Sequence, residues 1–78
     1  MIKQKVLQLI EEQFGKETGT VTLSDHLVNT LGGDSVDVLE VSMLLESEFK
    51  IKISSDESNL ALSVQELINL VEAKCQLK

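Results

Sequence analysis

The chain of 78 residues has no proline, tryptophan, tyrosine or arginine, and only one cysteine, one histidine and two phenylalanines. Each absence excludes something. A lone Cys75 can form neither an internal disulfide nor a structural zinc centre, which needs about four ligands. Seven lysines face 13 acidic residues, for a net charge of -6. That balance argues against nucleic acid, whose phosphates are met by clustered cations, and against anionic membrane surfaces. It favours partners with basic surfaces. No apolar run approaches the roughly 18–20 residues of a membrane span, and the start MIKQKVLQLIEEQFG is too polar for a secretory leader, so a cytoplasmic location is expected. A chain this short also has little room for a walled catalytic pocket of about 300–1,000 Å³, which favours a binding or carrier module over an enzyme.

What is present is helical periodicity. Ile2, Val6, Leu9, Ile10 and Phe14 recur at steps of three and four, and Gly15 is a plausible stop. A second helix is expected over about Ser35–Phe49. A third is expected over about Val64–Cys75, opened by a Ser63/Glu66 capping box and striped by Val64, Leu67, Ile68, Val71 and Cys75. Ser54–Ala61 reads as a short helical turn. Ile51 and Ile53 alternate with lysines but have no partner strand, so they read as an extended connector. The long connection from Gly15 to Gly33 must be pinned by its own apolar residues, Val21, Leu23, Leu27 and Leu31. The fold class expected is all-α: one domain over 1–78, a four-helix bundle of three longer helices and one short helix, with a long first loop.

The second helix carries the informative pattern. Gly32-Gly33 supplies a tight turn, and Asp34 is a strong N-cap with Asp37 three residues on. With Asp34 as the cap, the Ser35 hydroxyl is left free in the first turn, beside unpaired amide donors that suit an anionic group such as a phosphodiester. The plain alternative is that Asp34 and Ser35 do no more than start a helix. At about 100° per residue, Val38, Val41, Leu45 and Phe49 share the core face with Ser42 beside them, while Val36, Leu39 and Met43 gather on the other side. Five carboxylates (Asp34, Asp37, Glu40, Glu46, Glu48) and no lysine lie between Asp34 and Phe49. An apolar centre in an acidic frame suits a partner with a basic rim around a shallow apolar pocket. The alternative is that the long loop covers Val36 and Leu39.

The segment LGGDSVDVLEVSMLLESEFKIKIS resembles the signature of the acyl carrier proteins: a glycine pair, Asp-Ser-x-Asp, a Glu three further on, and an ending in Glu-x-Glu-Phe-x-Ile. The match is dense over about residues 31–53, and length, acidity and helix layout agree beyond it. The resemblance implies that Ser35, flanked by Asp34, takes a covalent 4′-phosphopantetheine from coenzyme A through a phosphopantetheinyl transferase. The arm would carry acyl groups as thioesters in fatty-acid or related polyketide-type biosynthesis, with no catalysis by the carrier itself. It also implies that Val36, Asp37, Glu40, Met43, Glu46 and Glu48 face partners, to which the periodicity adds Leu39. Acyltransferases, ketosynthases and other acyl-processing enzymes with basic docking surfaces would be those partners, and the carrier is expected to be a monomer.

The sequence departs from that pattern at Val36, where leucine is usual, at Ser42, where an apolar residue is usual, and at Lys50, where glycine is usual. The aromatic often found in the approach Ser24–Thr30 is missing. Leu31-Gly32-Gly33 is also common in peptidyl carrier proteins, so a peptidyl or aminoacyl carrier stays open, although Asp37 and Glu40 favour an acyl carrier. An unmodified acidic helical adaptor is the rival from another class. His26 as a base for Ser35 is set aside because the chain is too small for a substrate site. Cys75 continues the last apolar stripe. The acidic residues do not follow a calcium-loop pattern, and no metal site is expected.

Overall fold

The computed structural model describes residues 2–76. Four helices follow one another: α1 (Ile2–Phe14), α2 (Ser35–Phe49), α3 (Ser55–Leu60) and α4 (Val64–Gln76). The expected boundaries hold to within a residue or so, and the described residues include no strand. The core is almost wholly aliphatic. Val6 and Ile10 of α1, Val38, Val41 and Leu45 of α2, and Val64, Leu67, Ile68 and Val71 of α4 are buried together. Phe14, Phe49 and Cys75 pack against this cluster half-buried.

The ends of α1 and α2 and the starts of α3 and α4 have identifiable causes. Gly15 adopts a left-handed φ of 66°, and the Lys16 and Gly15 amides return to the carbonyls of Glu11 and Glu12, a paired closure that only a residue tolerant of that conformation accepts readily. At the end of α2, Lys50 takes the same left-handed role with a φ of 55°, a position where glycine would be less strained. The Ser63/Glu66 box opens α4 as its sequence suggests, with both reciprocal bonds formed. Ser54 and Glu57 make the same arrangement at the start of α3.

The long loop, residues 15–34, is ordered by bonds the sequence does not advertise. The buried Glu11 carboxylate accepts the amides of Gly19 and Val21 at 2.8 and 3.3 Å, tying the loop to α1. A second set ties it to the start of α4: Leu27 donates to Leu62 at 2.9 Å, and Val64 donates to Asp25 at 2.9 Å. His26 pairs with Ser63 in an isolated antiparallel bridge, and its Nδ1 accepts the amides of Val28 and Asn29. This spends the imidazole on the loop. Val21 and Leu27 are buried, and Leu23 and Leu31 are half-buried, as pinning residues should be.

Gly33 closes this loop onto α2. Its amide donates to the Leu27 carbonyl at 2.8 Å. A Cβ there would lie 2.7 Å from Phe14 Cε1 and 2.8 Å from that same backbone carbonyl. Gly33→Ala is therefore expected to destabilise the fold by about 1–3 kcal/mol, the range for overpacking. Thermal denaturation should show a fall of about 4 °C or more; an unchanged melting temperature would contradict the close approach.

α3 is tied to α4 by Lys74 and Glu57, 2.8 Å apart. The Lys74 ammonium is the main cause, and the Ser54 amide the second, of a Glu57 carboxyl held below its ordinary value. A depressed folded-state pKa stabilises the fold above the unfolded value, and that stability is lost as pH falls through the folded one. Glu57→Gln should therefore shrink the drop in melting temperature between neutral pH and about pH 3, below the ordinary glutamate value. A variant with an acid limb identical to wild type would refute this.

Candidate functional site

The site grows from the turn that starts α2. Gly32 bends the chain with a φ of 74°, and Asp34 then caps. Its Oδ1 accepts the Val36 and Asp37 amides at 3.0 and 3.1 Å, and Asp37 Oδ2 accepts the Asp34 amide at 3.2 Å. Ser35 follows, exposed to solvent, its hydroxyl without a hydrogen-bond partner among the described residues. One expectation needs correction. The first-turn amides of Val36 and Asp37 are not unpaired donors for an anion, because Asp34 already holds them. What remains for an anion at Ser35 is the positive end of the α2 dipole, together with solvent.

Ser35 stands at the edge of a groove between α2 and α3 with a volume of about 400 Å³. Val38, Leu39 and Met43 line one side, and Ile53, Ser58 and Leu62 line the other. The outward face of α2 is open: Val36, Leu39 and Met43 are each 57% exposed. The long loop does not cover them. Met43 is common to this groove and to two further hollows, one with Gln13, Glu40 and Leu44, the other with Glu46, Ser47, Lys50 and Lys52. It is the apolar centre of the face.

The acidic frame is more engaged than its pattern suggests. Glu40 accepts a bond from the Gln13 amide nitrogen at 2.6 Å. Glu48 lies 3.7 Å from Lys5 of α1. Glu46 accepts the Ile53 amide at 2.8 Å, anchoring the connector to α3. Asp37 belongs to the cap. All four carboxylates nevertheless keep solvent contact. Sequence reasoning missed that Lys50 and Lys52 share the lower hollow with Met43 and Glu46. The face therefore carries acid along its whole length, with base added only at its foot. The signal was legible in the Lys50-Ile51-Lys52 alternation, but its proximity to Met43 comes from the turn after α2. Among the described residues, no three His, Cys, Asp or Glu gather to hold a metal ion. No described helix is long and apolar enough to cross a membrane.

The family model for the phosphopantetheine attachment site matches residues 4–72. The chain belongs to that family. Among solved structures, an acyl carrier protein from Thermotoga maritima is similar over 99% of this chain and 94% of its own, at 30% identity and a TM-score of 0.81. The long first loop, the short α3 and the absence of strands among the described residues are those of an acyl-carrier-type bundle. A domain of this family is a carrier rather than a catalyst, and its prosthetic group is covalent 4′-phosphopantetheine. A free hydroxyl, exposed at a helix start and beside a groove, fits such an attachment.

Proposed function

We propose that residues 1–78 form a single acyl carrier domain whose Ser35 bears 4′-phosphopantetheine and which presents acyl groups, as thioesters, to enzymes of fatty-acid or polyketide-type biosynthesis. The observation that carries the reading is the uncommitted Ser35 hydroxyl, exposed in the first turn of α2 while Asp34 does the capping. In loading, Ser35 Oγ attacks the pantetheine-bearing phosphorus of coenzyme A. A P–O bond to the adenosine bisphosphate breaks as the Ser35 O–P bond forms, and the hydroxyl proton leaves to a base of the transferase. When bound, 4′-phosphopantetheine supplies a terminal thiol that holds the acyl group as a thioester.

The rest of the work belongs to recognition. Val36, Leu39 and Met43 offer apolar contact, and Asp37, Glu40, Glu46 and Glu48 steer partners with basic rims. A tethered substrate has a high effective concentration, so each enzyme needs only a weak, fast-releasing grip on the carrier. Such partners are the phosphopantetheinyl transferase and acyl-processing enzymes such as acyltransferases and ketosynthases. We place the carrier in the cytoplasm, as a monomer, in keeping with its acidity. Gly32-Gly33 favours a second reading, a peptidyl or aminoacyl carrier, against which stand Asp37 and Glu40.

Incubation with coenzyme A and a broad-specificity transferase tests the carrier reading by intact mass. One added phosphopantetheinyl group is expected. No mass gain under conditions that load a control carrier would return the protein to the acidic-adaptor reading. Challenge of the loaded carrier with acyl-transferring and aminoacyl-loading enzymes then separates acyl from peptidyl service.

A further inference from the structure

The groove beside Ser35 has a floor that attachment of an arm does not require. Ser42 of α2 and Ser58 of α3 are buried there, and their hydroxyl oxygens lie 2.8 Å apart. The serines are sixteen positions apart in sequence, so the pairing is made by the packing of α3 on α2. The walls around them are aliphatic: Val38, Leu39, Ile53 and Leu62. Two hydroxyls bring two protons and four lone pairs, and their mutual bond uses one of each. One proton and three lone pairs stay uncommitted between these aliphatic walls; the groove's other polar lining residues, Asp34, Ser35, Glu46, Ser54, Ser55 and Asn59, all reach solvent.

We propose that this serine pair selects the cargo: the groove favours an acyl chain bearing a hydroxyl or keto oxygen over a saturated chain of the same length. The inference rests on the reading of Ser35 as the attachment point, since that tethers the cargo, through its arm, at the edge of this groove. Ser42 lies seven residues beyond Ser35, about 10 Å along the helix. A saturated chain that parts α2 from α3 separates the two hydroxyls and leaves both facing methylenes, with nothing to replace the lost bond. A hydroxylated chain both donates and accepts, and can bridge the parted serines. A keto oxygen accepts a hydrogen bond from the hydroxyl whose proton the pair leaves spare. Ser35 lines the edge of the groove and the serine pair its base, so a chain tethered at Ser35 is the occupant within closest reach.

The test loads the carrier with saturated, β-hydroxy and β-keto acyl pantetheine of equal chain length, and follows melting temperature and the Ser42 and Ser58 amide resonances. The oxygenated cargoes should raise the melting temperature by about 4 °C or more beyond the saturated one, and should shift those two amides most. Ser42→Val with Ser58→Ala should erase or reverse the order; Ser42→Ala alone should reduce it if the double variant does not fold. Equal stabilisation of wild type by all cargoes, or shifts confined to other residues, would overturn the proposal while leaving the Ser35 reading intact. No mass gain on loading would overturn both.

Discussion

Ser35→Ala should fold as wild type does and accept no phosphopantetheinyl group at all. The expectation of a clean separation comes from the division of labour at the start of α2. The helix is capped by Asp34, which holds the amides of Val36 and Asp37, so removal of the neighbouring hydroxyl breaks no described bond. Ser35 is exposed, and substitutions at such positions usually change stability by no more than about 0.5 kcal/mol. The chemistry has no such reserve: without Oγ no phosphodiester forms, and the loss is complete rather than graded. Asp34→Ala provides the complementary case. It should cost about 1 kcal/mol through the lost cap, and loading should slow without vanishing. Intact mass after a timed reaction, read beside thermal denaturation, checks both. A Ser35→Ala protein that still gains the full mass would move the attachment elsewhere and remove the basis of the functional reading.

The second large effect concerns the outward face of α2. Met43→Glu should lower kcat/KM of partner enzymes by roughly tenfold or more, the effect of losing more than about 1.4 kcal/mol at a central contact. Met43 is exposed and common to all three hollows on this face, so the substitution places a charge at its apolar centre without disturbing the core. Reversal at Glu40 should act differently, slowing association and weakening its dependence on salt. The Gln13 bond to Glu40 is exposed and its loss should alter stability little. Steady-state kinetics of the transferase over a range of ionic strength measure both. Unchanged values for both variants would remove α2 as the docking face. The two lysines at its foot add a directional element, for a partner must meet acid alone above Met43 and acid mixed with base below it.

The helices, their limits and the buried face of α2 were legible because each is a local pattern. Val38, Val41 and Leu45 reveal their face by spacing alone, and Ser63/Glu66 announces a helix start within four residues. The exposed trio Val36, Leu39 and Met43 followed from the same period. Most of the features that escape the sequence pair residues distant in it. Nothing around Glu11 marks it as the buried acceptor for Gly19 and Val21, since an acid in the last turn of an amphipathic helix ordinarily faces water. Glu46 looked like another docking carboxylate, yet it also holds the Ile53 amide. Ser42 was visible as a polar intruder beside the core, but its partner Ser58 lies on a helix of six residues, too short for period to orient. The amides of Val36 and Asp37 are the local exception: the pattern marks Asp34 as the cap but not that one of its oxygens takes both amides.

α3 packs against α2 alone among the helices, while α1, α2 and α4 pack against one another. Among the described residues it is linked to α4 by the Glu57–Lys74 ion pair, formed by side chains that solvent reaches. The bundle thus consists of a sturdy three-rod chassis and one light shutter. Because the shutter stands outside the mutual packing of the chassis, displacing it should cost less than unfolding the chassis, and acidification, by neutralising Glu57, should weaken its tie to Lys74.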